Sequence, residues 1–261
     1  MKILFVGDVV GSPGREAIKT LLPSLKQELR IDFAVVNAEN ASGGSGITSK
    51  VAAELFASGA DVLTSGDHIW KKPEIFELIN QEERILRPLN FPSGAPGSGA
   101  KIFKAKNGVK VGVINVNGRV FMEPLECPFK AAFGAAESLA AETKVIIVDI
   151  HAEATSEKIA LGRYLDGKVS AVFGTHTHIQ TADEKILPGG TAYLTDAGMT
   201  GPYDSVIGRR VEDVLTRFLS SIPVRFEVAE GDIQLHGALV DVDPETGKAL
   251  SIVRIQKKLN D

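Results

Sequence analysis

The sequence predicts an α/β protein in which two β-sheets pack together and helices lie outside them. Over roughly the first two thirds of the chain, short apolar runs alternate with amphipathic stretches, which is the pattern of β-α-β units and a parallel sheet. Near the C-terminus, two alternating segments flank the turn PETGK and indicate an antiparallel hairpin. Because no repeat, charge block or linker divides the chain, we expect a single domain over residues 1–261.

Each strand is predicted where a short apolar run is bounded by turn or polar residues. In chain order these runs are KILFV (2–6), DFAVV (32–36), DVLT (61–64), KVGVIN (110–115), KVIIVDI (144–150) and VSAVF (169–173), followed by the hairpin strands IQLHGALVDVD and ALSIVRIQ. The first helix is expected to be capped by Ser12, with Pro13 in its first position, and to run to about Arg30. Further helices are expected over 48–58, 73–80, 129–140 and 155–165.

The composition favours a cytoplasmic globular protein. Hydrophobic residues make up 44% of the chain and charged residues 24%, and the net charge of −4 predicts no surface for a long nucleic acid. Cys127 is the only cysteine, which excludes an intrachain disulfide and suits a reducing compartment. The apolar start of MKILFVGD is too short for a signal peptide or a membrane span.

Residues with chemically useful side chains follow the predicted strands at the points where they end. In an open parallel sheet, the carboxyl ends of the strands share an edge, and ligands bind there. Four of the five histidines are expected at this edge, and His236 is expected on the polar face of an alternating strand. The residues that follow the strands are Asp8, Asn37, Glu39, Asn40, Asp67, His68, His151, His176 and His178.

These residue types predict a metal site. Imidazole and carboxylate suit zinc, manganese, iron or cobalt, and the absence of cysteine from the set argues against an iron–sulfur cluster. The set is too large for one tetrahedral ion and fits two ions that share a carboxylate and act on a phosphoryl group. Singly, Asp8 reads as a turn or capping residue and His151 as a buried structural histidine, so the prediction depends on the joint pattern. An H-x-H after a strand is expected to put both imidazoles on the same side.

Seven segments resemble the calcineurin-like metallophosphoesterase superfamily, and more closely its YmdB-like family of bacterial phosphodiesterases. They are GDVVGSPGR (7–15), NAENASGG (37–44), TSGDHIW (64–70), NVNGRVFM (115–122), DIHAEATSEK (149–158), GTHTHIQTAD (174–183) and DAGMTGPYDSVIG (196–208). The resemblance implies a four-layer α/β/β/α sandwich of two mixed sheets with two bound metal ions. It also implies hydrolysis of phosphodiesters, including 2′,3′- or 3′,5′-cyclic nucleotides, by attack of a metal-bridging hydroxide.

The resemblance also implies roles for individual residues. His68 resembles the catalytic histidine that acts at the leaving-group oxygen. The implied metal ligands are Asp8, Asn40 and His178 for one ion, Asp67, His151 and His176 for the other, and Glu39 as the bridge. Iron or manganese is favoured, and zinc and cobalt are also compatible. The expected partner is a small phosphodiester, with no membrane, and a homo-oligomer is compatible with the sequence.

Two positions depart from the superfamily pattern. Val10 stands where a histidine ligand is usual, and Asn40 is expected to compensate for it. Asp67 stands where the superfamily has asparagine. The additional carboxylate makes a site with two divalent ions and a hydroxide neutral. We therefore hypothesise either a trivalent ion or a preference for singly charged diesters over dianionic monoesters.

Two other functions remain open at the level of sequence. A lactamase-like or amidohydrolase dimetal enzyme also uses H-x-H, although those enzymes usually carry it before their other ligands. A non-catalytic or weakly catalytic regulator could sense a nucleotide or an RNA end through the same pocket. Substrate-binding residues are not identified, but the segment GMTGPYDSVIG (198–208) is expected to shape the pocket. The cations Lys71, Lys72, Arg119, Arg209 and Arg210 are expected to be solvated charges.

Overall fold

A computed structural model describes residues 1–259 and shows two mixed sheets packed face to face, with helices on their outer faces. The predicted four-layer α/β/β/α sandwich is confirmed. The domain predicted over residues 1–261 includes positions 260 and 261, which lie outside the described residues. The elements in chain order are β1 (Lys2–Val6), β2 (Asp8–Val9), α1 (Gly11–Glu28), β3 (Phe33–Asn37), α2 (Ser49–Ala57), β4 (Val62–Thr64), a 3₁₀ turn (Ile69–Lys71), α3 (Ile75–Gln81), β5 (Ala100–Lys104), β6 (Lys110–Asn117), α4 (Pro128–Ala140), β7 (Val145–His151), α5 (Thr155–Tyr164), β8 (Ala171–Thr175), β9 (Lys185–Ile186), β10 (Ala192–Leu194), β11 (Met199–Pro202), α6 (Val211–Ser220), β12 (Ile233–Val242) and β13 (Ala249–Lys258).

Both sheets have a parallel centre and antiparallel additions. The first sheet has the order β2-β11-β12-β1-β3-β4, with β13 paired to β12. Its strands β1, β3 and β4 are parallel, and β12 runs antiparallel to β1. The second sheet has the order β5-β6-β7-β8-β10-β9, in which β6, β7, β8 and β10 are parallel. The carboxyl ends of the parallel strands therefore face one edge of the sandwich.

Apolar side chains pack in three layers. Between the sheets, Phe5 of β1 stacks on Phe173 of β8 with ring centroids 4.7 Å apart. Helices α1 and α2 cover the outer face of the first sheet, where Ile18 and Leu22 are fully buried. Helices α4 and α5 cover the outer face of the second sheet in the same way. Burial of apolar surface on both sides explains why the parallel strands read as continuous apolar runs rather than alternating ones.

All six predicted parallel strands, the hairpin and the five predicted helices are present, with ends shifted by a few residues. The predicted cap of α1 is wrong. Gly11, with φ of 59°, turns the chain into the helix one residue before Ser12, and Val10 is the capping residue without a side-chain hydrogen bond. The sequence did not reveal α6 or the strands β2, β5, β9, β10 and β11. All of these strands except β5 are only two to four residues long.

His236 does not lie on an exposed polar face as predicted. It is buried in β12, and its ring stacks on Tyr203 with the ring centroids 4.2 Å apart. None of the helices in residues 1–259 has the length and apolar character required to cross a membrane.

Candidate metal centre

Four of the predicted ligands form one tight group at the shared edge of the two sheets. Donor atoms of Glu39, Asp67, His151 and His176 all lie within 4.8 Å of one another. The Nε2 atom of His151 is 3.1 Å from Glu39 Oε2 and 3.2 Å from Asp67 Oδ1. It is also 3.0 Å from Nδ1 of His176. Imidazole nitrogens and carboxylate oxygens that converge in this way form a donor set for a transition-metal ion.

A second group lies beside the first and consists of Asp8, Asn40 and His178. The Nε2 atom of His178 is 3.9 Å from Asp8 Oδ1 and 3.2 Å from Asn40 Nδ2. Asn40 Nδ2 also donates to Glu39 Oε1 at 2.8 Å. One oxygen of Glu39 therefore faces each group, which is the arrangement expected of a carboxylate between two ions.

The surroundings of the Asp8 carboxylate show whether these residues fit a bound cation. Its carboxylate is fully buried, and Oδ1 has no hydrogen-bond partner among residues 1–259. Its other oxygen, Oδ2, accepts from the backbone N–H of His176 at 3.1 Å. Burial raises the pKa of Asp8, since the charged form has lost its water without gaining a full set of donors. An unpartnered buried carboxylate oxygen next to imidazole nitrogens fits a bound metal ion.

The protonation equilibria of the first group are strongly shifted. Burial opposes the charged form of Glu39, but His151 and His68 outweigh it and hold the pKa of that carboxyl well below its usual range. Burial likewise opposes the charged form of His151, yet Glu39 and Asp67 raise its pKa well above the usual value. Burial lowers the pKa of His176 to about 4, with His151 contributing, so this imidazole is neutral at pH 7 and can act as a ligand.

His68 stands at the open side of the site. Its side chain is about 30% exposed, and its Nδ1 is 2.8 Å from Asn40 Oδ1. Its Nε2 is 3.7 Å from Asp67 Oδ2. A hydrogen bond to Glu39 is the main cause of a raised His68 pKa, and it outweighs the opposing effect of burial. A partly exposed, proton-retaining imidazole beside the metal groups can deliver a proton to a departing oxygen.

A buried chain of hydrogen bonds orients His151. The hydroxyl of Thr175 donates to Asp149 Oδ1 at 2.7 Å and lies 2.9 Å from His151 Nδ1. Because its one proton is directed at Asp149, this hydroxyl accepts from Nδ1–H and keeps Nε2, the nitrogen that a metal ion would bind in place of a proton, facing the carboxylates. Asp149 also accepts from Thr64 at 2.6 Å and from Asn37 at 3.0 Å. Asn37 thus supports the site from behind and does not face the metal groups.

The loop that carries His176 and His178 is held by a buried ion pair. Lys158 Nζ lies 2.7 Å from Asp196 Oδ2, and both side chains are about 1% exposed. Asp196 accepts from the backbone N–H of Thr177 at 3.2 Å, and Lys158 donates to the Thr177 hydroxyl at 3.1 Å. The residue between the two histidines is therefore held by both members of the ion pair.

The backbone at the H-x-H pair is not extended. His176 and His178 have φ angles of 92° and 65°, so the strand alternation ends at Thr175. The expected same-side placement by alternation is wrong, because non-glycine residues with positive φ turn the chain rather than extend it. The His176 imidazole lies with Glu39, Asp67 and His151, and the His178 imidazole lies beside Asn40. Strain of this kind persists where the surrounding contacts hold it in place.

Close packing explains a glycine in the sequence TSGDHIW. A Cβ atom at Gly66 would overlap the Glu39 carboxylate and the His151 ring. Glycine at this position therefore lets the chain just after β4 approach Glu39, which follows β3, and His151, which ends β7.

A cavity of about 460 Å³ opens onto the site. The side chains of Glu39, Asn40, His68, His176 and His178 line it on one side, and Glu153 and Thr177 adjoin them. The segment 198–208 contributes Val206 and Ile207 to its wall, and the Ile207 carbonyl oxygen lies 2.9 Å from His178 Nδ1. Of the cations predicted to be solvated, Arg209 is half-buried and lines this cavity, whereas Arg210 is exposed and pairs with Glu227.

Sequence reasoning missed Asp149, Lys158 and Asp196 as parts of the site. Asp196 follows a strand end as the predicted ligands do, but that strand, β10, is only three residues long. Asp149 lies inside the predicted strand KVIIVDI, where a carboxylate carries a signal only through its neighbour His151. A lysine on a helix, such as Lys158, has no pattern that distinguishes it from a solvated charge.

The four-layer fold and the two groups of carboxylate and imidazole donors at one sheet edge define a metallophosphoesterase-like protein. The model of the YmdB-like protein family matches residues 4–255, and the chain belongs to that family.

Relatives of known sequence and structure are similar to this chain over almost its full length. A Bacillus subtilis (strain 168) protein named 2′,3′-cyclic-nucleotide 2′-phosphodiesterase is 52% identical over 255 residues, which cover 98% of this chain and 96% of the relative. A Mycoplasma pneumoniae protein named putative phosphatase/phosphodiesterase is 37% identical, with coverage of 98% and 92%. A crystal structure of a hypothetical protein from Thermus thermophilus superposes with a TM-score of 0.93 at 40% identity, covering 99% of both chains. That of a novel phosphatase from Mycoplasma pneumoniae has a TM-score of 0.92 at 36% identity, covering 99% of this chain and 93% of the other.

Proposed function

We propose that this protein is a metal-dependent phosphodiesterase that hydrolyses 2′,3′-cyclic nucleotides. The observation that carries the proposal is the donor cluster of Glu39, Asp67, His151 and His176 beside an open cavity. The substrate class is supported by the name of the Bacillus subtilis relative, which is 52% identical over nearly the whole chain.

The proposed centre holds two ions, iron or manganese, with zinc and cobalt also compatible with the donors. Asp8, Asn40 and His178 would hold one ion, Asp67, His151 and His176 the other, and Glu39 would contact both. The position of Glu39 between the two groups supports this division, and Asn40 would bind through its carboxamide oxygen, which in the structure lies 2.8 Å from His68 Nδ1. Such ions, when bound, lower the pKa of a bound water and offset negative charge on phosphoryl oxygens.

Residues of the chain itself supply proton transfer, positioning and substrate preference. His68 retains its proton more strongly than an ordinary histidine and stands at the mouth of the site, so we assign it protonation of the leaving-group oxygen. The hydrogen bond between Thr175 and His151 keeps that imidazole in position during the reaction, and the bond from the Thr177 N–H to Asp196 holds the backbone next to His176. The carboxylate of Asp67, only partly exposed, disfavours a dianionic monoester more than a singly charged diester.

The test is metal analysis followed by assays of the loaded protein. We expect turnover of 2′,3′-cyclic nucleotides and of a p-nitrophenyl phosphodiester, slower turnover of the p-nitrophenyl phosphomonoester, and none of amide or thioester substrates. Asp67→Asn should raise the ratio of monoester to diester turnover, with metal content measured in parallel. Hydrolysis of amides or thioesters would indicate a lactamase-like enzyme. Bound metal without turnover of any phosphodiester would favour a nucleotide-sensing regulator.

A further inference from the structure

Apolar side chains form one wall of the cavity that opens onto the metal groups. This wall, called the apolar wall below, consists of Ile207, Val214, Phe218 and Phe226. Phe218 is 76% exposed, Ile207 46% and Phe226 38%. Apolar side chains that gather at the mouth of a site and remain open to water indicate a surface that binds another molecule.

The wall is fixed to the metal site. Val206 and Arg209 exchange backbone hydrogen bonds of 2.9 and 3.0 Å and so close a tight turn around Ile207. Ile207 has a φ of 47°, which a β-branched residue adopts only when its surroundings impose it. The carbonyl oxygen of the same residue is 2.9 Å from His178 Nδ1. The turn thus sets the distance between the apolar wall and one group of metal ligands.

Arg209 lines the same cavity as the apolar wall and the metal groups. Its guanidinium donates to the carbonyl oxygen of Gly44, and a Cβ at Gly44 would collide with it. No carboxylate within residues 1–259 forms an ion pair with Arg209, although the side chain is half-buried. A cation held in place without an acidic partner, beside carboxylate-rich metal groups, is suited to an anionic ligand.

We propose that the apolar wall stacks against the nucleobase of the substrate and that Arg209 contacts its phosphate or ribose oxygens. This inference rests on the proposed hydrolysis of cyclic nucleotides and names the residues that select them. A nucleobase offers an apolar face to aromatic side chains, and its attached phosphate is directed back toward His68 and the metal ligands. The cavity of about 460 Å³ is within the size range of small-ligand sites.

The experiment compares 2′,3′-cyclic AMP with the 2′,3′-cyclic phosphate of methyl riboside, which has the same reacting group and no base. For the wild-type protein we expect a kcat/KM for the nucleotide roughly 5- to 150-fold above that for the base-free diester. Phe226→Ala and Phe218→Ala should remove most of this difference, mainly through KM, and leave the base-free diester unaffected. Arg209→Gln should lower kcat/KM for both substrates roughly equally, and Arg209→Lys should restore part of it.

Leu219→Ala is the matched control, because Leu219 lies on the same helix, is 85% exposed and does not line the cavity. Equal wild-type turnover of both diesters would overturn the nucleobase assignment and leave the phosphodiesterase function standing. So would a Phe226→Ala variant that loses both activities by the same factor. Turnover of neither substrate by metal-loaded protein would instead contradict the proposed function. If Phe218→Ala and Leu219→Ala both shift the sedimentation coefficient with no change in kinetics, the wall is covered by a second copy and the inference is wrong.

Discussion

Replacing Asp8 by asparagine is expected to have opposite effects on stability with and without metal. Asp8 is fully buried, and its Oδ1 atom has no hydrogen-bond partner among residues 1–259. Nearby, Glu39 and Asp67 are held ionised, whereas the imidazoles of His68 and His151 have raised pKa values. With both of these imidazoles charged, the three carboxylates leave one negative charge uncompensated.

The size of the stability change in the metal-free protein follows from the contacts of the two Asp8 oxygens. An asparagine in the same rotamer keeps an oxygen at the position of Oδ2, where it accepts from the His176 N–H at 3.1 Å. Its amide nitrogen then takes the place of the unpartnered Oδ1. A buried polar group without a partner costs about 1–3 kcal/mol, and more when charged. In chelator, Asp8→Asn should therefore raise the melting temperature, at about 2–4 °C per kcal/mol for a chain of this size.

The direction in which the stabilising effect of Asp8→Asn changes with pH follows from the pKa of Asp8. The pKa of Asp8 is raised in the folded protein, so folding favours its protonated form, and the destabilisation grows as the pH rises above the unfolded value of about 3.8. The gain from Asp8→Asn in chelator should accordingly be larger at pH 7 than at pH 4.

With metal added, the order of stability should reverse. A ligand at a hundred times its dissociation constant stabilises the folded state by about 2.7 kcal/mol, and the variant lacks the charged oxygen that contributes to this binding. Thermal unfolding gives the melting temperature of the wild-type protein and of Asp8→Asn, each in chelator and each with added manganese or iron. Asp204→Asn is the matched control, since Asp204 is exposed. Lower stability of Asp8→Asn in chelator, or an equal metal-induced shift for both proteins, would refute the reasoning.

Three further predictions concern the same site. Glu39→Gln should lose metal and turnover together, because Glu39 faces both groups, and full turnover with normal metal content would contradict that position. His68→Ala should keep its metal and lose turnover least for esters with good leaving groups such as p-nitrophenol. The wild-type rate should fall as the pH rises through the raised His68 pKa, and the variant should lack that alkaline fall. Lys158→Met should destabilise the protein by about 3–5 kcal/mol in urea unfolding, because it leaves Asp196 buried without its cation. A change below about 1 kcal/mol would show that the Lys158–Asp196 pair does not stabilise this loop.

The sequence predicted which side chains gather at the candidate site because the residues that follow parallel strands obey a simple rule. Parallel strands buried on both faces read as apolar runs, and the residues just after them are brought to one edge by the topology. This reasoning placed Asp8, Glu39, Asp67 and His151 near one another without knowledge of any distance. The segment 198–208 was expected to shape the pocket, without identified residues, and it contributes Val206 and Ile207 to the cavity.

The features of the site that the sequence did not predict depend on contacts between residues far apart in the chain. Arg209 reads as a surface charge until the fold places it against the carbonyl oxygen of Gly44, 165 residues away. The apolar residues of α6 also look like an ordinary buried helix face, whereas only Val214 among them is buried. Burial and exposure of single side chains are set by tertiary packing, which periodicity does not encode.

The placement of His176 and His178 shows why a ligand motif alone is not a site. Both residues have positive φ, a conformation that costs on the order of 1–3 kcal/mol each in non-glycine residues. The cost is offset locally, because Thr177 between them is bonded to Asp196 and Lys158, and His178 to the Ile207 carbonyl. An extended H-x-H would direct both imidazoles to the same side of the strand, whereas the turned backbone gives one to each metal-ligand group. The division of the two histidines between the two groups of side chains is therefore supported by the buried Lys158–Asp196 pair, which acts through Thr177.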